Sequence, residues 1–288
     1  MNTKDQAEGL RRLHRRPTRV IAVASGKGGV GKTNVVANLA VGLARLGESV
    51  MVFDADLGLG NIDILLGLAP RFNLSHVIRG ERSLEEILVR GPHGLWVLPA
   101  ASGVASMAAL TPAQQANLID AVSRLNVPVD YLLIDCAAGI SGDVLTFSRA
   151  AQEVVVVLSN EPASIADAYA LVKVLSRQYG LKRFQLLPNM VRDAAEGKAL
   201  FARFCSVADR YLDVSIGLAG AIPLDPALRS AVRAQRAVIE SAPGSPSAKA
   251  FGALVERVRT WPMPEGAGGQ LAFFMQQWMQ PEPASPAS

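Results

Sequence analysis

The chain has 288 residues, half of them apolar and 19% charged, with a formal net charge of +4 and two cysteines. That apolar share supports a large buried core and excludes wholesale disorder. Cys136 and Cys205 lie too far apart for a CxxC site, the three histidines (His14, His76, His93) are scattered, and no apolar run approaches the roughly eighteen residues that a membrane-spanning helix needs. A disulfide scaffold, a zinc site and a membrane span are thereby set aside, and a reduced, cytoplasmic protein without a signal peptide is expected.

The net charge sits at the start of the chain. Residues 1–19 hold Lys4, Arg11, Arg12, Arg15, Arg16 and Arg19 against Asp5 and Glu8, which accounts for the whole excess. The body is balanced, so the broad positive face of a nucleic-acid binder is not expected and no direct nucleic-acid contact is assigned. Leu10 and Leu13 lie at helical spacing, but Gly9 weakens a helix that nothing local would hold. On physics alone this segment reads as a basic leader.

Residues 20–24 form an apolar, strand-like run. Gly26-Lys27-Gly28-Gly29-Val30-Gly31-Lys32-Thr33 follows, and Asn34 then opens a helical pattern (Val35, Val36, Leu39, Ala40, Leu43, Leu46) that stops near Gly47. A strand, a glycine loop and a helix in that order make a phosphate cradle. Glycines let backbone N–H groups converge on phosphate oxygens, and the helix N-terminus adds partial positive charge. Lys32 would reach the β- and γ-phosphates, and the Thr33 hydroxyl would ligate Mg²⁺. Lys27 is a second lysine inside the loop, which phosphate binding alone does not require.

Residues 49–53 read as a second strand that delivers Asp54 and Asp56, two carboxylates suited to Mg²⁺ and an attacking water, or to capping the next helix. A short helix at 62–66, a loop, a helix at 84–89, a strand at 95–98, a small-residue loop at 99–103 and a helix at 112–125 come next. Residues 130–135 form a buried-strand pattern that ends on Asp135, placed as a strand-end aspartate would be to hold Mg²⁺ beside a phosphate loop. Residues 136–140 resemble a second switch, in which a backbone N–H near Gly139 would sense the γ-phosphate. Thereafter strands at 154–158, 184–187 and 216–222 alternate with helices at 165–179 and 195–211, which predicts one doubly wound, mostly parallel sheet. Seven basic and two acidic residues between Lys173 and Arg203 form either a local patch or solvated helix faces.

Residues 241–247 read as a mobile loop before a last core helix that ends near Arg259. A Pro- and Gly-rich hinge follows, and then Leu271, Phe274, Met275, Trp278 and Met279 share one helical face opposite three glutamines. Such a face can lie in a bilayer interface, on its own domain or on a partner.

These motifs carry a resemblance. GKGGVGKT resembles the deviant P-loop of the MinD/ParA (SIMIBI) ATPases, and DADLGLGNID resembles their first switch. DQAEGLR near the start, together with the terminal amphipathic segment, resembles the FlhG/FleN-type flagellar ATPases within that family. The resemblance implies ATP and Mg²⁺ as cofactors, ATP hydrolysis, and an ATP-bound homodimer in which Lys27 crosses to the partner's nucleotide. It implies catalytic roles for Lys27, Lys32 and Asp56, metal contacts from Thr33, Asp54 and Asp135, and nucleotide contacts along the loop through Asn34. It also implies an adenine site at Asn189, Pro223 and Asp225. Asp5, Gln6, Ala7, Leu10 and Arg11 would contact an FlhF-type GTPase, with flagellar basal-body components and a FleQ-type regulator as further partners. The terminal segment would bind inner-membrane lipids, which places the protein peripherally on the inner membrane face at the cell pole. The implied organisation is an arm at 1–18, an ATPase domain at 19–262, and a hinge, membrane helix and tail at 263–288. The implied work is control of flagellar number or placement, and a ParA-like partitioning ATPase is the alternative.

Overall fold

The computed structural model describes residues 18–101, 110–125 and 127–262. The partner contacts expected at Asp5, Gln6, Ala7, Leu10 and Arg11, and the membrane face expected at Leu271, Phe274, Met275, Trp278 and Met279, lie outside the described residues.

β1 (Arg19–Ser25) lies at the centre of the sheet between β5 (Tyr131–Ala138) and β6 (Glu153–Leu158), parallel to both. The order runs β3-β4-β2-β5-β1-β6-β7-β8, with β2 at Val50–Ala55, β4 at Trp96–Leu98, β7 at Arg183–Val191 and β8 at Ser215–Leu218. The pairing is parallel except at one edge, where β3 (Val89–Arg90) runs antiparallel to β4. β9 (Ile222–Pro223) pairs with the end of β7.

Strand alternation explains the two layers of core. Val20, Ala22 and Ala24 of β1 face one apolar cluster, Ile21 and Val23 the other. The first cluster is closed by α5 (Pro112–Ser123), α6 (Gly142–Arg149), α7 (Pro162–Tyr179) and α8 (Ala194–Tyr211). The second is closed by α1 (Lys32–Arg45), α10 (Val238–Ser241) and α11 (Pro246–Thr260). With both faces covered, the strands read as continuous apolar runs. Phe53 of β2 meets Phe147 of α6 edge to face at 5.2 Å, a contact worth about 1 kcal/mol beyond its buried area.

Several expectations are corrected. The stretch read as a loop after α2 (Ile62–Leu65) contains α3 (Leu74–Ile78), started by a capping box between Asn73 and His76. Beyond it, α4 covers only Leu84–Ile87 before the chain turns into β3. Helix α6 follows Ser141 where none was predicted, because a glycine at its first position hides it. The strand expected at 216–222 is two, β8 and β9, broken at Gly220. Helix α9 (Pro226–Arg233) was also unforeseen. The loop at 241–247 is anchored: Ser245 caps α11, and the fully buried Ser247 donates to Asp225. Of the seven basic residues between Lys173 and Arg203, Lys182 pairs with Asp213, Arg183 with Glu153 and Arg192 with Glu196, which favours the solvated-face alternative over a local patch.

Candidate functional site

The glycine loop leaves the carboxyl end of β1 and enters α1, at the edge where an open parallel sheet gathers its ligands. Gly31 sits at the cap of α1 with φ 90°, a left-handed conformation that side chains resist. Gly26 is required by proximity, because a Cβ there would lie 2.1 Å from the Asp167 backbone of α7. The Ser25 hydroxyl donates to the Lys27 carbonyl at 2.7 Å and ties the loop's entry. Gly28 and Gly29 are exposed at the tip, while Val30 is buried and roots the loop in the core beneath α1. Lys32 is buried and Thr33 half-buried at the start of α1.

Opposite the loop, Asp54 of β2 and Asp135 of β5 are direct neighbours across the strand pair, 1% and 2% exposed. Burial raises both carboxyls. Repulsion from Asp135 adds to the rise at Asp54, while the Thr33 hydroxyl and the Lys32 ammonium pull Asp135 back to about 7. One oxygen of Asp135, Oδ1, is buried with no hydrogen-bond partner among the described residues, and so is Asn34 Oδ1. An orphaned buried acceptor costs about 1–3 kcal/mol, so Asp135 Oδ1, beside Thr33 and Lys32 at the phosphate loop, calls for a ligand, although Glu153 Oε2, at the far end of β6, is orphaned too. Paired carboxylates beside a hydroxyl form a hard-oxygen donor set suited to Mg²⁺.

Asp54 has a further task. Its Oδ1 accepts the Asp56 N–H at 3.2 Å and its Oδ2 the Ile62 N–H at 3.3 Å, so it pins both ends of the loop that carries Asp56. Asp56 is half-buried, and Asn61 donates to the Leu59 carbonyl at 2.5 Å. The Gly139 N–H donates to the Ser25 carbonyl at 2.9 Å, so a γ-phosphate sensor in this stretch would be a neighbouring N–H. Lys27 is held within its own chain by Glu161, 2.7 Å away and exposed.

The residues matched to an adenine site fall into two groups. Pro223 lines a cavity of about 340 Å³ with Asn34, Met190, Leu224, Leu228 and Val232. Asn189 does not line it. It lies 2% exposed inside β7, not in a turn, donating through Nδ2 to the Val30 carbonyl at 2.7 Å and accepting the Met190 N–H at 2.9 Å. Asp225 borders the cavity, yet its carboxylate accepts from the Ala227 N–H at the start of α9 and from the Ser247 N–H and hydroxyl. Burial would raise the Asp225 carboxyl, but those donors outweigh it and hold the group below its usual range. The apolar walls Met190, Leu224, Leu228 and Val232 carry no motif in the sequence. The only hint of them is the exposure of bulky apolar residues that have no periodic partner.

A phosphate cradle on the central strand, facing paired aspartates on the two strands beyond it, defines a P-loop nucleotide-binding protein. A family model for ParA, NUBPL iron-transfer P-loop NTPase, matches residues 16–259. Antiactivator FleN of Pseudomonas aeruginosa is 50% identical over 264 residues, 92% of this chain and 94% of that protein. Flagellum site-determining protein YlxH of Helicobacter pylori is 33% identical over 89% of this chain and 88% of its own length. The solved structure of the septum site-determining protein MinD from Pyrococcus horikoshii, complexed with Mg-ADP, superposes with a TM-score of 0.67 at 26% identity, covering 84% of this chain and 96% of that one. The chain belongs to the MinD/ParA family of P-loop NTPases and, within it, to the FleN type.

Proposed function

We propose that this protein is an ATP-driven switch. It binds MgATP at the loop of residues 26–34, dimerises around the nucleotide, associates with the inner membrane face and limits or places flagella. The observation that carries the chemistry is the partnerless, buried Asp135 oxygen beside Thr33 and Lys32. Thr33, Asp54 and Asp135 would hold Mg²⁺, which when bound supplies positive charge to the phosphate oxygens. The backbone N–H groups of the loop and Lys32 would bind the β- and γ-phosphates. Asp56, on a loop that Asp54 pins at both ends, would orient the attacking water and accept its proton. Lys27 would leave Glu161 and reach the partner's nucleotide. The cavity beside Pro223 would take the base, and Asn189, which does not line that cavity, would act on the nucleotide indirectly by bracing the Val30 carbonyl of the loop.

The flagellar role is supported by half-identity along nearly the whole chain to an antiactivator named FleN, and by the site-determining relative. An FlhF-type GTPase bound by residues 5–11, basal-body components and a FleQ-type regulator are the partners this reading assigns. The arm at 1–18, the domain at 19–262 and the anchor at 263–288 are its parts. Phosphate release with MgATP tests the enzyme, and loss of release in Asp56→Ala with nucleotide binding retained is the expected result. Sedimentation in saturating MgATP tests the switch: the Asp56→Ala protein is expected to be a dimer and Lys27→Ala a monomer. An Asp56→Ala protein that stays single would overturn the scheme.

A further inference from the structure

Apolar side chains make most of the wall of the cavity beside Pro223, and among the described residues Asp225 is the one carboxylate that borders it. A free carboxylate at a purine cavity favours guanine, because its two oxygens match the adjacent ring N–H and exocyclic amine of that base. Adenine presents a single exocyclic amine beside a ring nitrogen that accepts, and a carboxylate facing that edge repels the ring nitrogen. The use Asp225 makes of its oxygens therefore bears on which base the cavity takes.

Both oxygens are engaged elsewhere. Asp225 caps α9, its Oδ1 accepting the Ala227 N–H at 2.9 Å. Its Oδ2 accepts from Ser247 twice, from the N–H at 2.9 Å and from the hydroxyl at 2.6 Å. Ser247 is fully buried in the first turn of α11 and lies behind the cavity wall, not on it. One carboxylate thus joins the starts of two helices, whose partial positive charge favours it there. The seat of Ser247 is set by the phosphate-loop helix. α11 packs on α1 so closely that a Cβ on Gly42 would lie 2.5 Å from Val255 Cγ2, and Ser245 caps α11 by accepting the Ala248 N–H at 3.2 Å.

At the seam between loop and cavity, Asn34 Oδ1 is a buried acceptor without a partner among the described residues. One acceptor suits one exocyclic amine and leaves the second donor of guanine unpaired. A donor buried without an acceptor forfeits the hydrogen bonds it made in water. Arg229 and Arg233 also line the cavity, but both are exposed, and donors that water can serve equally well separate the two bases little.

We infer that Ser247 is a positioning residue that sets base choice: by occupying Asp225 it denies guanine a pair of acceptors and leaves the cavity to adenine. This rests on the nucleotide reading proposed above and names the side chain that sits behind its selectivity.

The test is displacement of a fluorescent ADP analogue from the full chain, with Mg²⁺, by ATP, ITP and GTP. Wild type is expected to bind ATP about tenfold or more tightly than GTP, with ITP between them because its base lacks the exocyclic amine of guanine. Ser247→Ala is expected to tighten GTP about three- to tenfold and to leave ATP unchanged. Combining it with Asp225→Ala should remove that gain, with the melting transition of each variant showing that it is folded. Wild type that binds GTP as tightly as ATP overturns the inference. So does a Ser247→Ala protein with an unaltered ratio of GTP to ATP affinity, or a gain in GTP binding that survives the loss of Asp225. Failure of the analogue and of ATP to bind wild type at all overturns the nucleotide reading instead, and this inference with it.

Discussion

The two walls of the nucleotide site are built on opposite plans. On the loop side a polar group is left over: Asp135 Oδ1 is buried without a partner among the described residues, and Asp54 and Asp135 crowd each other. On the cavity side such groups are spent. Asn189 is bonded to Val30 and Met190, and Asp225 to Ala227 and Ser247. A wall with unspent groups is made for a ligand and bears little of the fold's stability. A wall whose groups are consumed holds the fold and lends only its shape.

Substitutions sort by that difference. The largest effect is expected at Lys32→Ala, which should lower nucleotide-stimulated phosphate release by about 100-fold or more while the unliganded protein melts close to wild type. A fall in melting temperature matching the cavity-side variants would break the distinction. Asp225→Ala should do the reverse: it strands the Ser247 and Ala227 donors, at about 2 kcal/mol, measured by urea unfolding. Gly26→Ala, on the loop itself, should lower both stability and phosphate release, because it drives a Cβ into the Asp167 backbone at a cost of about 1–3 kcal/mol.

Asp225 also sharpens the contrast through pH. Its folded carboxyl titrates below the usual carboxylate range, so the folded state binds fewer protons there than the unfolded one. Its contribution is full above the unfolded value and is lost as pH falls through the folded value. Asp225→Asn and wild type should therefore differ at neutral pH and converge in strong acid.

Asn189→Ala is expected to cost about 1 kcal/mol of stability. It should also weaken nucleotide binding, because the Val30 carbonyl in the loop loses its brace. Weaker binding at unchanged stability would return Asn189 to the loop side. The smallest effect belongs to Glu161→Gln. The Lys27–Glu161 pair is exposed, so no resolvable shift in melting temperature is expected. A freed Lys27 should nevertheless move ATP-dependent dimerisation to a modestly lower protein concentration, read by sedimentation.

The loop side was legible in the chain because its parts are contiguous or end an apolar strand. Eight successive residues make the cradle, and Asp54 and Asp135 close runs of buried residues. The cavity side was legible only as positions. Asn189 and Pro223 were matched by resemblance, but the amide's engagement with Val30, 159 residues away, has no trace in local spacing. Asp225 was read as a ligand group, and its use by Ser247 depends on α11 packing beside α9. The engagement of the Gly139 N–H by Ser25, across two paired strands, is equally invisible in local spacing.

The sequence by itself determined the doubly wound sheet and the phosphate cradle, since apolar periodicity and glycine spacing act through the backbone within a few residues. The tertiary structure decided which polar groups remain available. Hydrogen-bonding capacity is finite, and partners far apart in the chain compete for it. It also decided that both ends of the core meet at Arg19, a proximity set by the placement of β1 and the end of α11 and invisible in either segment alone.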